Sequence, residues 1–272
     1  VWPILIRIGD YEIGTFGVLL GLAVLTGLWV ARRLGVRDGL APQAVNDVGL
    51  ATLLAALLFS KLLGLSVDWL SGIPITWGEL RNAGAVHGGV FGGLITAALL
   101  ARRFGLPLDK LLDAYLPAGA LGQAIGRLGC LAAGCCFGTH SKEAWAVTFS
   151  HPQALVLGGV PLHVAVHPVQ LYDALAHLLI FGALVALHKK NILVGRLFGL
   201  WCILEGVTRF SIETFRGDLG RGVWFDISWL STGRITALTL IAVGILFVLI
   251  QQRRRLTDSL STSPKPKQDD TN

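Results

Sequence analysis

The sequence predicts an all-α fold: a polytopic membrane helical bundle of about seven transmembrane helices, N-terminus periplasmic and C-terminus cytoplasmic, with a small periplasmic arm. Composition is the first ground. Of 272 residues, 53% are hydrophobic and 15% charged, with mean hydropathy +0.64. That is too little charge to coat a water-facing domain of this length. The second ground is a set of apolar runs, each close to the ~20 residues that cross a hydrocarbon core. The third is that basic residues gather behind alternate runs, as they do in cytoplasmic loops. The net charge of +6 belongs to those clusters. No nucleic-acid-binding motif accompanies it, so nucleic acid is not expected as a partner.

The runs are Gly14–Val30, Asn46–Leu65, Val86–Leu100, Leu111–Ala133, Val169–Leu187, Leu197–Phe215 and Ile235–Ile250. The first is followed, not preceded, by Arg32 and Arg33, so it is expected to be a membrane span rather than a cleavable signal peptide. Arg32, Arg33 and Arg37 follow the first run, Arg102, Arg103 and Lys110 the third, Lys189, Lys190 and Arg196 the fifth, and Arg253, Arg254 and Arg255 the seventh. An odd number of spans with the N-terminus outside satisfies all four clusters. Trp69, Trp77, Trp224 and Trp229 are expected as interfacial anchors.

The longest outer connection, residues 134–168, holds His140, His151, His163 and His167 and is expected to fold as the periplasmic arm, with Trp145–Phe149 as a short strand. Residues 1–255 are read as one transmembrane domain, and the polar residues 256–272 as a disordered cytoplasmic tail. Glycines four apart recur within the spans, as at Gly88 and Gly92, Gly89 and Gly93, and Gly122 and Gly126. Such spacing lets helix backbones approach closely.

Ionisable groups inside the spans point to function. Arg127 lies roughly 24 Å up the fourth run from its cytoplasmic end. The sixth run carries Glu205, Arg209 and Glu213 four residues apart, hence on one helix face. His87 opens the third run from the outer side. Arg127, Arg209, Glu213 and His87 therefore converge at one depth, toward the outer leaflet. A charge at mid-span costs about 2.5–3.5 kcal/mol on insertion scales, so such groups face the bundle interior or a wet cavity. Neutralisation of Arg209 by Glu205 and Glu213 is the simpler account of that group alone. The convergence of two Arg, two Glu and a His points instead to a functional cavity. Guanidinium forks suit phosphate, and the phosphate at that depth belongs to a membrane lipid headgroup. His87 is the one residue there that exchanges a proton near neutral pH. The expected catalytic residues are His87, Arg127, Arg209 and Glu213.

These residues sit in segments that resemble the prolipoprotein diacylglyceryl transferases. Val86-His87-Gly88-Gly89-Val90-Phe91-Gly92-Gly93 is similar to that family's His-Gly-Gly segment. Gly126-Arg127-Leu128-Gly129, with Gly134 and Gly138 beyond it, resembles its central signature. His167-Pro168-Val169-Gln170-Leu171-Tyr172-Asp173, Arg209-Phe210 with Glu213, Arg216 and Asp218, and Leu230–Ile235 match further segments in order along most of the chain.

The resemblance implies a transferase of the bacterial inner membrane with seven spans. It implies movement of diacylglycerol from phosphatidylglycerol to the lipobox cysteine thiol of a prolipoprotein signal peptide, with a thioether formed and glycerol phosphate released. No cofactor and no metal are implied. Carried onto matching positions, it implies substrate contacts at Gly88, Gly89, Gly126, Gly129, Gly134, Gly138, Tyr172 and Arg216, with His87 as the candidate base.

The chain departs from the pattern at several polar positions. Cys130 stands where the family has Asn, Cys135 where it has Glu, Ala133 where it has Asn, Phe16 and Glu205 where it has Tyr, and Lys61 where it has Arg. Cys130, Cys135 and Cys136 admit four readings: packing in a small-residue turn, a disulfide (Cys135 with Cys136, or Cys130 with Cys135), a covalent intermediate beside Arg127, or a metal site. Metal is not expected, because the paired C-x-x-C spacing is lacking. Two other functions stay open at this point: a thiol-disulfide or metal-handling membrane protein, and a non-catalytic binder of anionic lipid.

Overall fold

A computed structural model describes residues 2–9, 11–76, 84–192, 195–217 and 231–261, the side chains of Val86, His87 and residues 254–261 excepted. The described chain is mostly helical. A hairpin of β1 (Ile4–Ile8) and β2 (Tyr11–Gly14) pairs antiparallel, Arg7 opposite Glu12. It leads into α1 (Thr15–Arg37), α2 (Pro42–Leu70), α3 (Val86–Arg103) and α4 (Leu108–Ala133). Residues 134–168 follow, with β3 (Val147–Thr148), α5 (Pro152–Gly158) and β4 (Ala165–Val166). The chain ends in α6 (Val169–Lys189), α7 (Leu197–Glu213) and α8 (Thr232–Ser261).

Each apolar run of the sequence falls on one of the long helices. Four segments are long and apolar enough to cross a membrane on length and composition alone: α1, α2, α6 and Thr232–Arg253 of α8. Trp69 ends α2 with two-thirds of its surface exposed, whereas Trp77, Trp224 and Trp229 lie outside the described residues. α8 continues through Ser261, because Gln251–Arg255 are good helix formers that carry the helix onward. Residues 262–272 lie outside the described residues.

The burial pattern is inverted relative to a water-soluble protein. Asp113, Gln170, Asp173, His177, His188 and Glu213 are buried, while Leu25, Leu54, Leu99, Leu179 and Leu246 are each more than half exposed. Apolar side chains outside and ionisable ones inside are what a hydrocarbon solvent selects.

Small residues set the helix pairs. α1 and α4 run antiparallel, Phe16 against Gly129, Ala23 against Gly122 and Gly27 against Ala118. Gly88 and Gly92 abut Phe59 of α2, and Gly89 abuts Ala56. α7 and α8 meet through Gly206 at Ala237 and Gly199 at Gly244. A methyl on Gly206 would lie 2.6 Å from the Ala237 carbonyl oxygen and 2.7 Å from Ile241 Cγ1. Gly206→Ala should therefore destabilise the protein by about 1–3 kcal/mol through overpacking. Gly119, whose added methyl would meet nothing within 4 Å, should change by less than about 0.5 kcal/mol. Thermal unfolding of the two detergent-solubilised variants checks this. Equal midpoints would contradict the close approach of α7 and α8.

One end of the bundle is tied by polar contacts. Arg37 Nη2 donates to the Lys189 carbonyl at 2.6 Å, Lys110 Nζ to the Asp38 carbonyl at 3.0 Å, and His188 Nε2 lies 2.9 Å from Asp38 Oδ2. Asp113 accepts from the backbone N–H groups of Gly195 (2.5 Å) and Leu197 (3.3 Å), satisfying donors at the start of α7. The segment 134–168 has its own core of Phe137, Phe149, Ala154, Val160 and Val166. The strand expected within Trp145–Phe149 is present as Val147–Thr148, pairing with Ala165–Val166. This unit is stitched to the end of α7. Thr139 N–H donates to the Phe215 carbonyl (2.8 Å) and Gly217 N–H to the Phe137 carbonyl (3.0 Å).

Candidate active site

Arg127 stands near the C-terminal end of α4, and its Nε lies 2.6 Å from Asp173 Oδ2 on α6. One helical turn further along α6, His177 Nδ1 lies 3.0 Å from Asp173 Oδ1 and 2.8 Å from the Asp173 carbonyl oxygen. His177 Nε2 lies 2.9 Å from Glu205 Oε2 on α7. Three helices are thus joined by one chain: Arg127, Asp173, His177, Glu205. Both nitrogens of the His177 ring face oxygen acceptors, and an imidazolium supplies a donor to each.

A second ion pair lies on α7 itself. Arg209 Nη2 is 3.0 Å from Glu213 Oε2, one turn on. Ser231 Oγ donates to Glu213 Oε1 at 2.7 Å, and the backbone at Gly233 closes over the pair. A methyl there would sit 2.5 Å from Glu213 Oε2 and 2.7 Å from Arg209 Nη2. Only glycine lets the first turn of α8 approach this closely.

Exposure separates the two halves of each pair. The side chains of Asp173 and Glu213 are 5% and 2% exposed, those of Arg127 and Arg209 are 23% and 25% exposed. Each carboxylate is sunk behind its guanidinium, which keeps an open side. Arg127, Arg209 and Arg216 also stand close enough to act on one another electrostatically. Arg127 and Arg209 therefore occupy one region. Three guanidiniums with two carboxylates, Asp173 and Glu213, leave one net positive charge, which favours an anion at the open guanidinium faces.

The other expected positions divide by neighbourhood. A methyl at Gly126, beside Arg127, would meet nothing within 4 Å, so this face of α4 is open. Gly129 backs onto Phe16, and Gly88 and Gly89 back onto α2, where they serve helix packing. Gly134 takes a left-handed conformation (φ 77°) at the C-terminus of α4, and Gly138 bridges to Arg216. The Tyr172 hydroxyl accepts from Trp145 Nε1 at 2.8 Å, and its ring packs against His167 and Phe215. The backbone of His87 belongs to the first turn of α3, and its side chain lies outside the described residues. Glu205, which the spacing of four offers to Arg209, pairs with His177 instead.

Four residues of this site escape the sequence reading: Asp173 and His177 as ion-pair partners, and Ser231 and Gly233 as supports of Glu213. The first two carried a readable signal. Asp173 and His177 are ionisable residues four apart inside an apolar run, the same pattern that singles out Glu205, Arg209 and Glu213.

The three neighbouring cysteines are free thiols. Their Sγ atoms all lie within 4.8 Å of one another. Hydrogen bonds from Cys130 and Cys135, reinforced by Arg216 and Arg127, hold the Cys136 thiol below the usual range, against burial. Its neighbours Cys130 and Cys136 push the Cys135 thiol up. At the other edge of this unit, Gln153 Nε2 donates to Glu12 Oε2 at 2.8 Å, and that bond, with Arg7, keeps the Glu12 carboxyl below the ordinary carboxylate range.

Comparison with known proteins assigns the chain to a family. The family model described as prolipoprotein diacylglyceryl transferase matches residues 3–250. Among curated relatives, a phosphatidylglycerol--prolipoprotein diacylglyceryl transferase of Clostridium tetani is 29% identical over 93% of this chain and 99% of its own length. The protein of that name from Bacillus mycoides is 30% identical over 94% of each chain. One from Bacillus cereus is 29% identical over 93% of each. The enzyme class inferred from the sequence, a transferase, accordingly holds. With the match running from the N-terminal hairpin to the last helix, the chain belongs to the prolipoprotein diacylglyceryl transferase family.

Proposed function

We propose that this protein transfers the diacylglyceryl group of phosphatidylglycerol to the lipobox cysteine thiol of a prolipoprotein signal peptide. In this reading residues 1–255 form a single transferase domain of the bacterial inner membrane that crosses the bilayer seven times, N-terminus and residues 134–168 outside. The observation that carries it is the pair of quarter-exposed guanidiniums, Arg127 and Arg209, each backed by a buried carboxylate and both in one region of a bundle with apolar outer faces.

The chemistry follows from charge. A cysteine thiol, with pKa near 8.5, is activated by losing its proton to a base. His87, at the head of α3, is assigned that role. The sulfur attacks the glycerol carbon that carries the phosphate ester, the carbon–sulfur bond forms, and the carbon–oxygen bond breaks. Glycerol phosphate leaves with the electron pair. Arg127 and Arg209 stabilise the charge that grows on the departing phosphate oxygens. Glu213 fixes Arg209, Asp173 fixes Arg127, and Arg216 holds the phosphate from the side of residues 134–168. Gly126 leaves the face of α4 beside Arg127 open for the headgroup, with Tyr172 at its rim.

Purified protein incubated with phosphatidylglycerol labelled in its acyl chains and a lipobox peptide tests this. The expected result is label on the peptide, release of glycerol phosphate, and no label on a peptide whose cysteine is serine. The gene should also rescue a strain depleted of its own transferase. Bound lipid without turnover, or no rescue with the protein present in the membrane, would overturn the reading in favour of an anionic-lipid binder.

A further inference from the structure

The transfer chemistry above leaves one cluster unused, the thiols of Cys130, Cys135 and Cys136. Their sequence spacing lacks the paired C-x-x-C of common metal sites, yet the fold brings them together. α4 ends at Gly134 in a left-handed turn, and the Cys135 N–H returns to the Cys130 carbonyl at 3.1 Å. This 6→1 closure folds the chain back over the last turn of the helix. Cys136 then takes φ 57°, a left-handed conformation that residues with a Cβ rarely adopt. Gln170 Nε2 pins the turn by donating to the Cys135 carbonyl at 2.8 Å. A strained, externally fixed turn that converges three sulfurs suggests a site.

We propose that Cys130, Cys135 and Cys136 form a three-thiolate site for a soft monovalent metal ion of the Cu(I) class. The geometry fits. With metal–sulfur bonds of about 2.3 Å, three sulfurs around one ion are spaced about 4.0 Å apart. The present spacing, within 4.8 Å, needs a contraction of under about 1 Å, within reach of side-chain torsions. Among the described residues no histidine or carboxylate joins the trio. That disfavours zinc, whose structural sites take four protein ligands, while thiolates alone suit Cu(I). Charge points the same way. Three thiolates around a monovalent ion carry a net −2, and two cations, Arg216 and Arg127, act on Cys136. A divalent ion would add positive charge beside guanidiniums that already repel it. Binding exchanges three thiol protons for one cation, with no change of oxidation state. The proposal is independent of the transfer reaction.

The test uses the full-length protein in detergent, kept anaerobic and titrated with Cu(I) against a chromophoric Cu(I) chelator. One Cu(I) per chain is expected, with X-ray absorption reporting three sulfurs at about 2.2–2.3 Å. C130S, C135S and C136S should each weaken binding roughly 100-fold or more, since even partners outside the ligand shell are worth 10–100-fold. C202S, a thiol buried in α7, should bind as the unaltered protein does. The spectroscopy on the unaltered chain decides the matter even where a variant fails to fold. No retained copper, a two-sulfur site, binding that survives the substitutions, or a disulfide among the three thiols trapped from cells would each overturn the proposal.

Discussion

Arg127→Ala will lower diacylglyceryl transfer by about 10²–10³-fold at saturating lipid, the loss that follows removal of one donor to a developing oxyanion. It will also destabilise the fold. Asp173 is 5% exposed, and breaking a buried pair by removing one partner costs about 3–5 kcal/mol. The two effects separate in a second variant. Arg127→Ala combined with Asp173→Ala removes both partners and should recover part of the stability, because Asp173 is no longer a buried charge without its guanidinium, while His177 keeps Glu205 and the backbone carbonyl of residue 173. Activity should not return with it. Arg127→Lys keeps a charge but not the planar fork, and should fall between the two. The measurements are initial rates with labelled phosphatidylglycerol and thermal unfolding on the same preparations. Should the double variant regain both stability and transfer, Arg127 would be a packing residue and the phosphate role would be lost.

That variant pair also marks where the sequence was informative. Arg127, Arg209 and Glu213 stand out in the sequence because hydrocarbon is hostile to charge, so an ionisable residue inside an apolar run is a signal by itself. The helices were legible for a related reason. Each apolar run, being long, maps onto a helix, and only the ends shift, as where α8 continues past Arg255. Partner choice was not legible. A spacing of four offers Arg209 either Glu205 or Glu213, and only the packing of α6 against α7 sends Glu205 to His177. The sequence flags the three cysteines but leaves their reading open, because it does not show that their sulfurs converge. C-x₄-C-C brings three sulfurs together only through a left-handed turn at Gly134 followed by another at Cys136. At Gly88 and Gly89 a neighbour the sequence does not name emerges: an added Cβ at either would meet α2.

His177→Leu should be the most destabilising single change in the α6–α7 contact. Its ring lies between Asp173 and Glu205, 2% exposed, with an oxygen within 3.0 Å of each nitrogen. Leucine fills similar space but supplies no donor, so Glu205 loses its cation and Asp173 keeps only Arg127. A loss of about 3–5 kcal/mol is expected, the usual cost of orphaning a buried charge. For a chain of this size that lowers the unfolding midpoint by about 5–15 °C. His177→Leu with Glu205→Leu should then be more stable than His177→Leu alone, since exchanging both partners for apolar groups leaves no unsatisfied polar atom at Glu205. Transfer activity, measured well below the midpoint, should fall much less than in Arg127→Ala, because Asp173 still holds the guanidinium. If His177→Leu instead abolishes transfer while melting as the unaltered protein does, the histidine belongs to the proton chemistry, and the base assigned to His87 would have to move to α6.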